Sequence, residues 1–124
     1  MLQKVNLAQK LGLFDDHWHP RIVGDVNDSQ VKLVKLQGEF VWHDHAAEDE
    51  LFLVLKGRLT IDYRDGGVEH SVVLEPGELV VIPRGVEHRP RAEEEVHLLL
   101  VEPAATRHTG DVEDALTVHA FERI

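Results

Sequence analysis

Two short segments of the chain carry residue types that bind metal ions. The first contains His43 and His45, followed by Glu50. In an extended strand, side chains two residues apart leave the same face about 7 Å apart, so both imidazoles can reach one ion. Glu50 begins an apolar stretch and would share its face with Phe52. A carboxylate that points into an apolar interior needs a cation, which a metal ion would supply.

The second segment contributes His88, which follows a turn containing Pro83 and Gly85. Three neutral imidazoles and one carboxylate suit the divalent ions of iron, manganese, nickel, cobalt, copper or zinc. Four protein ligands on an octahedral ion leave two positions for water, substrate or oxygen. The spacing therefore predicts one divalent metal ion held by His43, His45, Glu50 and His88, with Glu50 also placed to act as a catalytic base.

Short β segments separated by turn residues surround both motifs. The predicted strands are 22–26, 31–37, 39–45, 50–55, 58–64, 68–74, 79–82 and 96–101. A short helix is predicted before them, capped by Asn6 and ended by Gly12. Many short strands and little helix predict a sandwich or a closed barrel.

The two segments resemble the paired signature motifs of the cupin superfamily. The matching residues are Gly38, His43, His45, Glu50 and Gly57 in the first motif and Gly77, Pro83, Gly85 and His88 in the second. Gly38 lies one residue closer to His43 than the commonest spacing, and Ala92 stands where the family often has Asn. The resemblance implies an all-β, double-sheet jelly-roll barrel closed around the metal. We expect one domain over residues 1–124, with the core barrel at about 19–103 between a short helix and a polar tail.

The same resemblance implies a protein that acts on or binds a small molecule. It does not determine the activity, because cupins include enzymes, binding domains and storage proteins. A metal-dependent enzyme, and among enzymes an oxygen-dependent dioxygenase, is our first hypothesis. An isomerase or epimerase of sugars or keto compounds is the second. A non-catalytic domain that binds or senses a small molecule is the third.

Other residues extend the predicted site or lie outside it. Phe52 is expected in the pocket wall, and His97 is a candidate that either lines the cavity as a proton-transfer group or lies outside. Trp42 should face away from the metal, and the facing of Lys35 and Gln37 stays open. We expect the remaining polar candidates at the surface; they are His17, Trp18, His19, His70, His108, His119 and the run 93–95.

Composition limits the partners and the compartment. The chain of 124 residues has a net charge of −10 and no Cys, which excludes thiolate chemistry and argues against nucleic-acid binding through a basic face. No stretch is long enough to span a bilayer, and we expect a cytoplasmic protein with no membrane contact. In 50–55 both faces are apolar, and the outer face, with Leu51, Leu53 and Leu55, needs a cover. A homodimer is the cover that we predict.

Overall fold

The computed structural model of the chain describes residues 2–104, 106–110, 112, 114–117 and 120–124. These residues form one short helix and eight strands, which confirms the all-β prediction. In chain order the elements are α1 (Leu7–Leu11), β1 (Arg21–Val26), β2 (Ser29–Glu39), β3 (Glu50–Lys56), β4 (Leu59–Asp65), β5 (Val68–Leu74), β6 (Leu79–Ile82), β7 (His88–Pro103) and β8 (Glu122–Arg123). Asn6 caps α1 as predicted, since its Oδ1 accepts from the Gln9 N–H at 3.0 Å. No helix in the described ranges is long and apolar enough to cross a membrane.

The long strand β7 joins the two sheets of the fold. Its first residues pair with β4, whose other neighbour is β5. Its later residues pair with β2 on one side and with β3 on the other, and β1 and β6 continue this second sheet. Within the described residues the hydrogen-bonded path runs β5-β4-β7-β2-β1-β8, with β3 and β6 branching from β7. The two sheets face each other as in the predicted double-sheet jelly roll, but among the described residues they are not closed into a barrel, and the hydrogen-bonded paths end at β5, β8 and β6.

A predicted strand and a predicted turn near Gly38 differ from the structure. The predicted strand 39–45 is reduced to a single bridge at His43, because Gly38 adopts a φ of 87° at an irregularity of β2 and the chain then leaves regular pairing. Residues 93–95, expected as a solvated turn, continue β7. Leu36 of β2 pairs with Val96 of β7, and Gly38 pairs with Ala92. The segment of β7 between these pairs is longer than the segment of β2, so its extra residues form a bulge.

Side-chain alternation divides β2, β3 and β7 into an inner and an outer face. The inner face carries most of the buried core, with Val34 and Leu36 from β2 and Phe52 and Val54 from β3. Glu50 precedes Phe52 by two residues and points into the same interior. The fold therefore places the predicted carboxylate ligand inside the space between the sheets.

Candidate metal centre

The structure brings together the four residues that the sequence predicts as metal ligands. One side-chain ligand atom from each of His43, His45, Glu50 and His88 lies within 4.8 Å of those of the other three, and all four residues are buried. They come from the segment after β2, the start of β3 and the start of β7. Their convergence is a property of the fold, while their role as metal ligands stays a prediction.

Backbone pairing holds these segments in register. His43 and His88 form an antiparallel bridge in which each N–H donates to the carbonyl of the other, at 3.0 and 2.8 Å. The Gly85 N–H donates to the His45 carbonyl at 2.8 Å, and Gly85 has a φ of 81° that favours glycine. Glu50 pairs with Ile82 at the end of β6. The turn between β6 and β7 thus positions both His88 and the loop of the paired histidines.

Two of the imidazole rings are oriented by backbone carbonyls. Nδ1 of His43 lies 2.9 Å from the carbonyl oxygen of Val41, and Nδ1 of His88 lies 2.8 Å from that of Val86. A carbonyl can only accept, so Nδ1–H donates in both rings and Nε2 keeps its lone pair. Such a hydrogen bond fixes the tautomer that a metal-binding histidine needs.

The atoms that face one another at the centre lack hydrogen bonds. Nε2 of His45 lies 2.8 Å and Nε2 of His88 lies 3.5 Å from Oε1 of Glu50. All three atoms are buried, and none has a hydrogen bond of normal geometry. Buried polar atoms that converge without well-formed hydrogen bonds are costly unless a cation lies among them. The donor set and its geometry therefore fit a divalent transition-metal ion.

The protonation equilibria of the cluster differ between its members. Burial, helped by the neighbouring His88, lowers the pKa of His43 to about 3, so this ring is neutral at physiological pH. Burial acts in the same direction on His45, but the carboxylate of Glu50 outweighs it and raises the pKa. Burial would raise the pKa of Glu50, whereas its contacts with Glu102, His45 and His88 hold that pKa well below its usual value.

A buried Lys–Glu pair lies behind Glu50. The Nζ of Lys32 donates to Oε1 of Glu102 at 2.8 Å, and both side chains are fully buried. Burial and the adjacent Glu50 raise the pKa of Glu102 well above its usual value, and Lys32 acts against them. We did not predict this pair, although the alternation of Lys32 with Val34 and Leu36 along β2 would have placed the lysine inside.

The cluster borders a narrow cavity of about 30 Å³ between the sheets. That volume has room for a water molecule. The lining residues are Trp18, Pro20, Val34, Leu36, Phe40, His43, Glu50, Phe52, Pro90, Leu98, Leu100 and His108. Phe52 thus stands in the cavity wall, and its part in substrate binding stays a prediction.

His97 is not among the described residues that line this cavity, and its part in substrate binding stays a prediction. It alternates with the inward-facing Leu98 in β7 and so points to the outer face of the sheet. There its Nε2 contacts Oε1 of Glu95 at 2.9 Å, and Oε2 of Glu95 contacts His17 at 2.8 Å. Lys35 also faces outward, where its Nζ donates to the Phe14 carbonyl at 2.5 Å.

Two cavity residues were expected at the surface. Trp18 is buried, stacks on Phe40 with ring centroids 4.7 Å apart, and has a φ of 67°. His108 is buried between Phe40 and Phe121. Both lie outside the regular strands, where no side-chain period marks a buried face. Of the other residues expected at the surface, His19 and His70 are exposed, and His119 lies outside the described residues. Trp42 was expected to face away from the metal, and its ring centroid lies 3.9 Å from the guanidinium carbon of Arg64. Gln37, whose facing was left open, is exposed.

Comparisons with known proteins agree with this fold. The family model described as "Cupin domain" matches residues 31–102. A solved structure of a cupin-2 domain containing protein from Shewanella frigidimarina NCIMB 400 is 48% identical, with a TM-score of 0.75, and the match covers 80% of this chain and 93% of that one. A curated relative, the uncharacterized protein YdbB of Bacillus subtilis (strain 168), is 41% identical over 70 residues. That match covers 56% of this chain and 59% of the length of the relative.

A more distant likeness extends to an enzyme. Hydroquinone 1,2-dioxygenase from Sphingomonas sp. TTNP3, solved in complex with 4-nitrophenol, has a TM-score of 0.73 at 23% identity. The match covers 83% of this chain and 33% of that one, and at this identity it shows the fold alone. The family model and the Shewanella structure show the family as well as the fold, because each matches the sequence of more than half of the chain. This chain belongs to the cupin family.

Proposed function

We propose that the chain is a metal-dependent enzyme acting on a small molecule, and specifically an oxygen-dependent dioxygenase. The observation that carries the proposal is the buried convergence of His43, His45, Glu50 and His88, whose central atoms lack hydrogen bonds. When bound, a divalent ion would supply a Lewis-acid centre with open positions for a substrate oxygen and for dioxygen. The fold likeness to hydroquinone 1,2-dioxygenase is consistent with this class of chemistry.

The protein's own residues have separate tasks in this proposal. Val41 and Val86 fix the two rings through their carbonyls, and Phe52 and Leu100 keep bulk water from the space beside Glu50. Glu50 is the one carboxylate of the cluster and the candidate to hold a proton taken from the substrate. Because the cavity lining is mostly apolar, it offers few partners to sugar hydroxyls, which ranks an isomerase or epimerase of sugars second among the enzymes.

The size of the cavity favours one further candidate function. A space of about 30 Å³ admits a substrate only if neighbouring side chains move. A non-catalytic cupin that uses its metal for stability alone needs no such movement, whereas one that binds or senses a small molecule in this cavity would share it with the enzyme. Oxygen consumption by the metal-loaded protein separates this candidate from the enzyme.

The first experiment measures metal content by elemental analysis after loading with iron(II) or zinc(II). We expect about one ion per chain in the wild type and large losses in His45→Ala and His88→Ala, because each removes a ligand. His70→Ala, at an exposed position, is the matched control. Saturating metal should also stabilise the fold, by about 2.7 kcal/mol at a free concentration of 100 Kd.

The second experiment measures oxygen uptake by the iron(II)-loaded protein with hydroquinone and substituted phenols. Uptake that depends on both the phenol and the iron would support the dioxygenase. A fully loaded protein that consumes no oxygen with any of these compounds, yet binds one of them, would instead support the binding module. A wild type that holds no metal after loading would contradict both the dioxygenase and the metal-containing binding protein.

The outer face of the second sheet supports the predicted homodimer. Leu51 pairs with Val81, and Leu53 pairs with Leu79 and Leu99. Leu79 and Val81 remain 54% and 50% exposed, and these side chains form a continuous apolar row across three strands. A second copy of the chain would cover this row.

Sedimentation velocity tests the dimer. We expect a dimer for the wild type and a monomer for Leu53→Glu, because a charge at the centre of the row would be buried in the interface. Val73→Glu, at a similarly exposed apolar position on β5 in the other sheet, should stay dimeric. A wild type that sediments as a monomer at all concentrations would remove the proposal. The cytoplasmic location and the single domain stay predictions.

A further inference from the structure

His108 is buried in the cavity beside the predicted metal centre, although neither of its ring nitrogens has a hydrogen bond of normal geometry among the described residues. Its side chain reaches the cavity from the segment after β7, and the residue is only 7% exposed. The ring packs between Phe40 and Phe121, with centroid distances of 5.3 and 5.7 Å. A histidine held in this way costs stability, because its donor and acceptor are both removed from water.

The described residues that line the cavity offer no other free polar side chain. Among the residues that line it, the ionisable side chains are His43, Glu50 and His108, and the first two belong to the predicted ligand set. The indole N–H of Trp18 donates outward, to the carbonyl of Gln37 at 3.0 Å. A molecule bound at the metal would therefore find its side-chain hydrogen-bonding partner in His108.

The ring is neutral under ordinary conditions. Burial lowers the pKa of His108 to about 4, and the nearby backbone of Leu116 and Trp18 offsets only part of that effect. A neutral imidazole has one N–H donor and one bare nitrogen acceptor, and its two tautomers exchange these roles between the nitrogens. His108 can thus either donate to an anionic atom or accept from a hydroxyl.

The segment that carries His108 is docked directly on the metal loop. Gly110 has a φ of 60°, and a Cβ there would overlap the backbone carbonyl of Asp44, the residue between His43 and His45. The hydroxyl of Thr109 donates to the Val112 carbonyl at 2.8 Å and holds the turn. The position of His108 is therefore set relative to the two paired histidines.

We propose that His108 is a ligand-binding residue of the metal centre, which hydrogen-bonds one end of a small molecule whose other end occupies an open metal position. This inference rests on the proposed metal centre and names the class of ligand that it takes. The ligand has an oxygen or nitrogen donor for the metal and a hydrogen-bonding group on its far side. The rest of its surface is apolar, as the walls formed by Val34, Leu98 and Leu100 require.

The test uses azide, a small anion that binds metal through one end and accepts a hydrogen bond at the other. The cobalt(II)-loaded protein is titrated with azide and followed by its visible absorption. We expect His108→Phe to bind azide about tenfold more weakly than the wild type, the effect of one lost hydrogen bond to a charged group. His108→Gln, which keeps a donor, should fall between the two, and His70→Gln should match the wild type.

Two further measurements separate ligand binding from a structural role. Cobalt content should be the same in all four proteins, since His108 is not a predicted metal ligand. The metal-free His108→Phe protein should unfold at the same urea concentration as the wild type or at a higher one, because an unpaired polar group is replaced by an apolar ring.

Three results would overturn the inference. These are equal azide affinity in His108→Phe and the wild type, a large drop in the stability of the metal-free variant, and a cobalt-loaded wild type that binds no azide. All three are independent of the oxygen assay. A protein that binds azide through His108 but consumes no oxygen would contradict the dioxygenase and leave this inference standing.

Discussion

The buried Lys32–Glu102 pair makes a quantitative prediction about stability. Both side chains are fully buried and their polar atoms lie 2.8 Å apart. Removing one partner of such a pair leaves an uncompensated polar group inside the protein, at a cost of about 3–5 kcal/mol. We therefore expect Lys32→Met, which preserves the length and volume of the side chain, to lose about that much free energy of unfolding.

Glu50 adds a second buried carboxyl group to this balance. Glu102 contacts Glu50 as well as Lys32, so Lys32→Met leaves two carboxyl groups together without the lysine. The double variant Lys32→Met/Glu102→Leu removes the unpaired carboxyl and fills its space with an apolar side chain. It should be about as stable as the wild type, because replacing both partners of a buried pair is often neutral or stabilising.

Urea unfolding of the metal-free protein at pH 7 provides the assay. The control is Lys4→Met, at an exposed lysine, which should change stability by less than about 0.5 kcal/mol. A loss below about 1 kcal/mol for Lys32→Met would refute the reasoning, because it would mean that water or a rearranged neighbour compensates Glu102. A double variant less stable than Lys32→Met would refute it as well.

Two further variants test other contacts. Asp62 is buried and accepts from Arg91 Nε at 2.8 Å, Arg89 Nη2 at 2.9 Å and Ser71 Oγ at 2.7 Å; the bond to Arg91 contributes most to holding its pKa well below the ordinary 3.8. Asp62→Asn should lose about 2 kcal/mol of free energy of unfolding at pH 7. As the pH falls, the carboxyl group protonates first in the unfolded chain, so the difference in stability between wild type and variant should persist down to about pH 4 and shrink below it. A difference in urea unfolding that does not change with pH would contradict the role of the Asp62 carboxylate. Gly110→Ala should lower the melting temperature more than Gly66→Ala, since both glycines have a φ near 60° but only Gly110 meets a backbone atom, and equal losses would show that the contact with Asp44 is unimportant.

The predicted site was visible in the sequence because its residues follow local rules. The two-residue period of an extended strand places His43 and His45 on one face, and the turn at Pro83 and Gly85 returns the chain to them at His88. The family resemblance supplied the double-sheet architecture that these rules alone left open. These features depend on short stretches of chain, so a single sequence is enough to find them.

The errors have a common physical origin in long-range packing. Residues 93–95 look like a turn because their side chains are charged, yet they continue β7 between its two sheet-pairing parts. Whether His97 points to the inner or the outer face of the sheet depended on the bulge of β7 at these residues. Trp18 and His108 reach the cavity from segments without a strand or helix period, where neighbours distant in the chain decide which side chains are buried.

The carbonyls of Val41 and Val86 hold two of the rings in the orientation that a metal ligand would need. If the proposed site binds an ion, folding has therefore already met part of the entropic cost of arranging its donors. Affinity should then follow the intrinsic order of the first-row ions, in which copper exceeds zinc and both exceed iron and manganese. The availability of metal ions in the cell would then decide which ion is bound. The same chain made in cells grown on different trace elements is therefore expected to carry different ions.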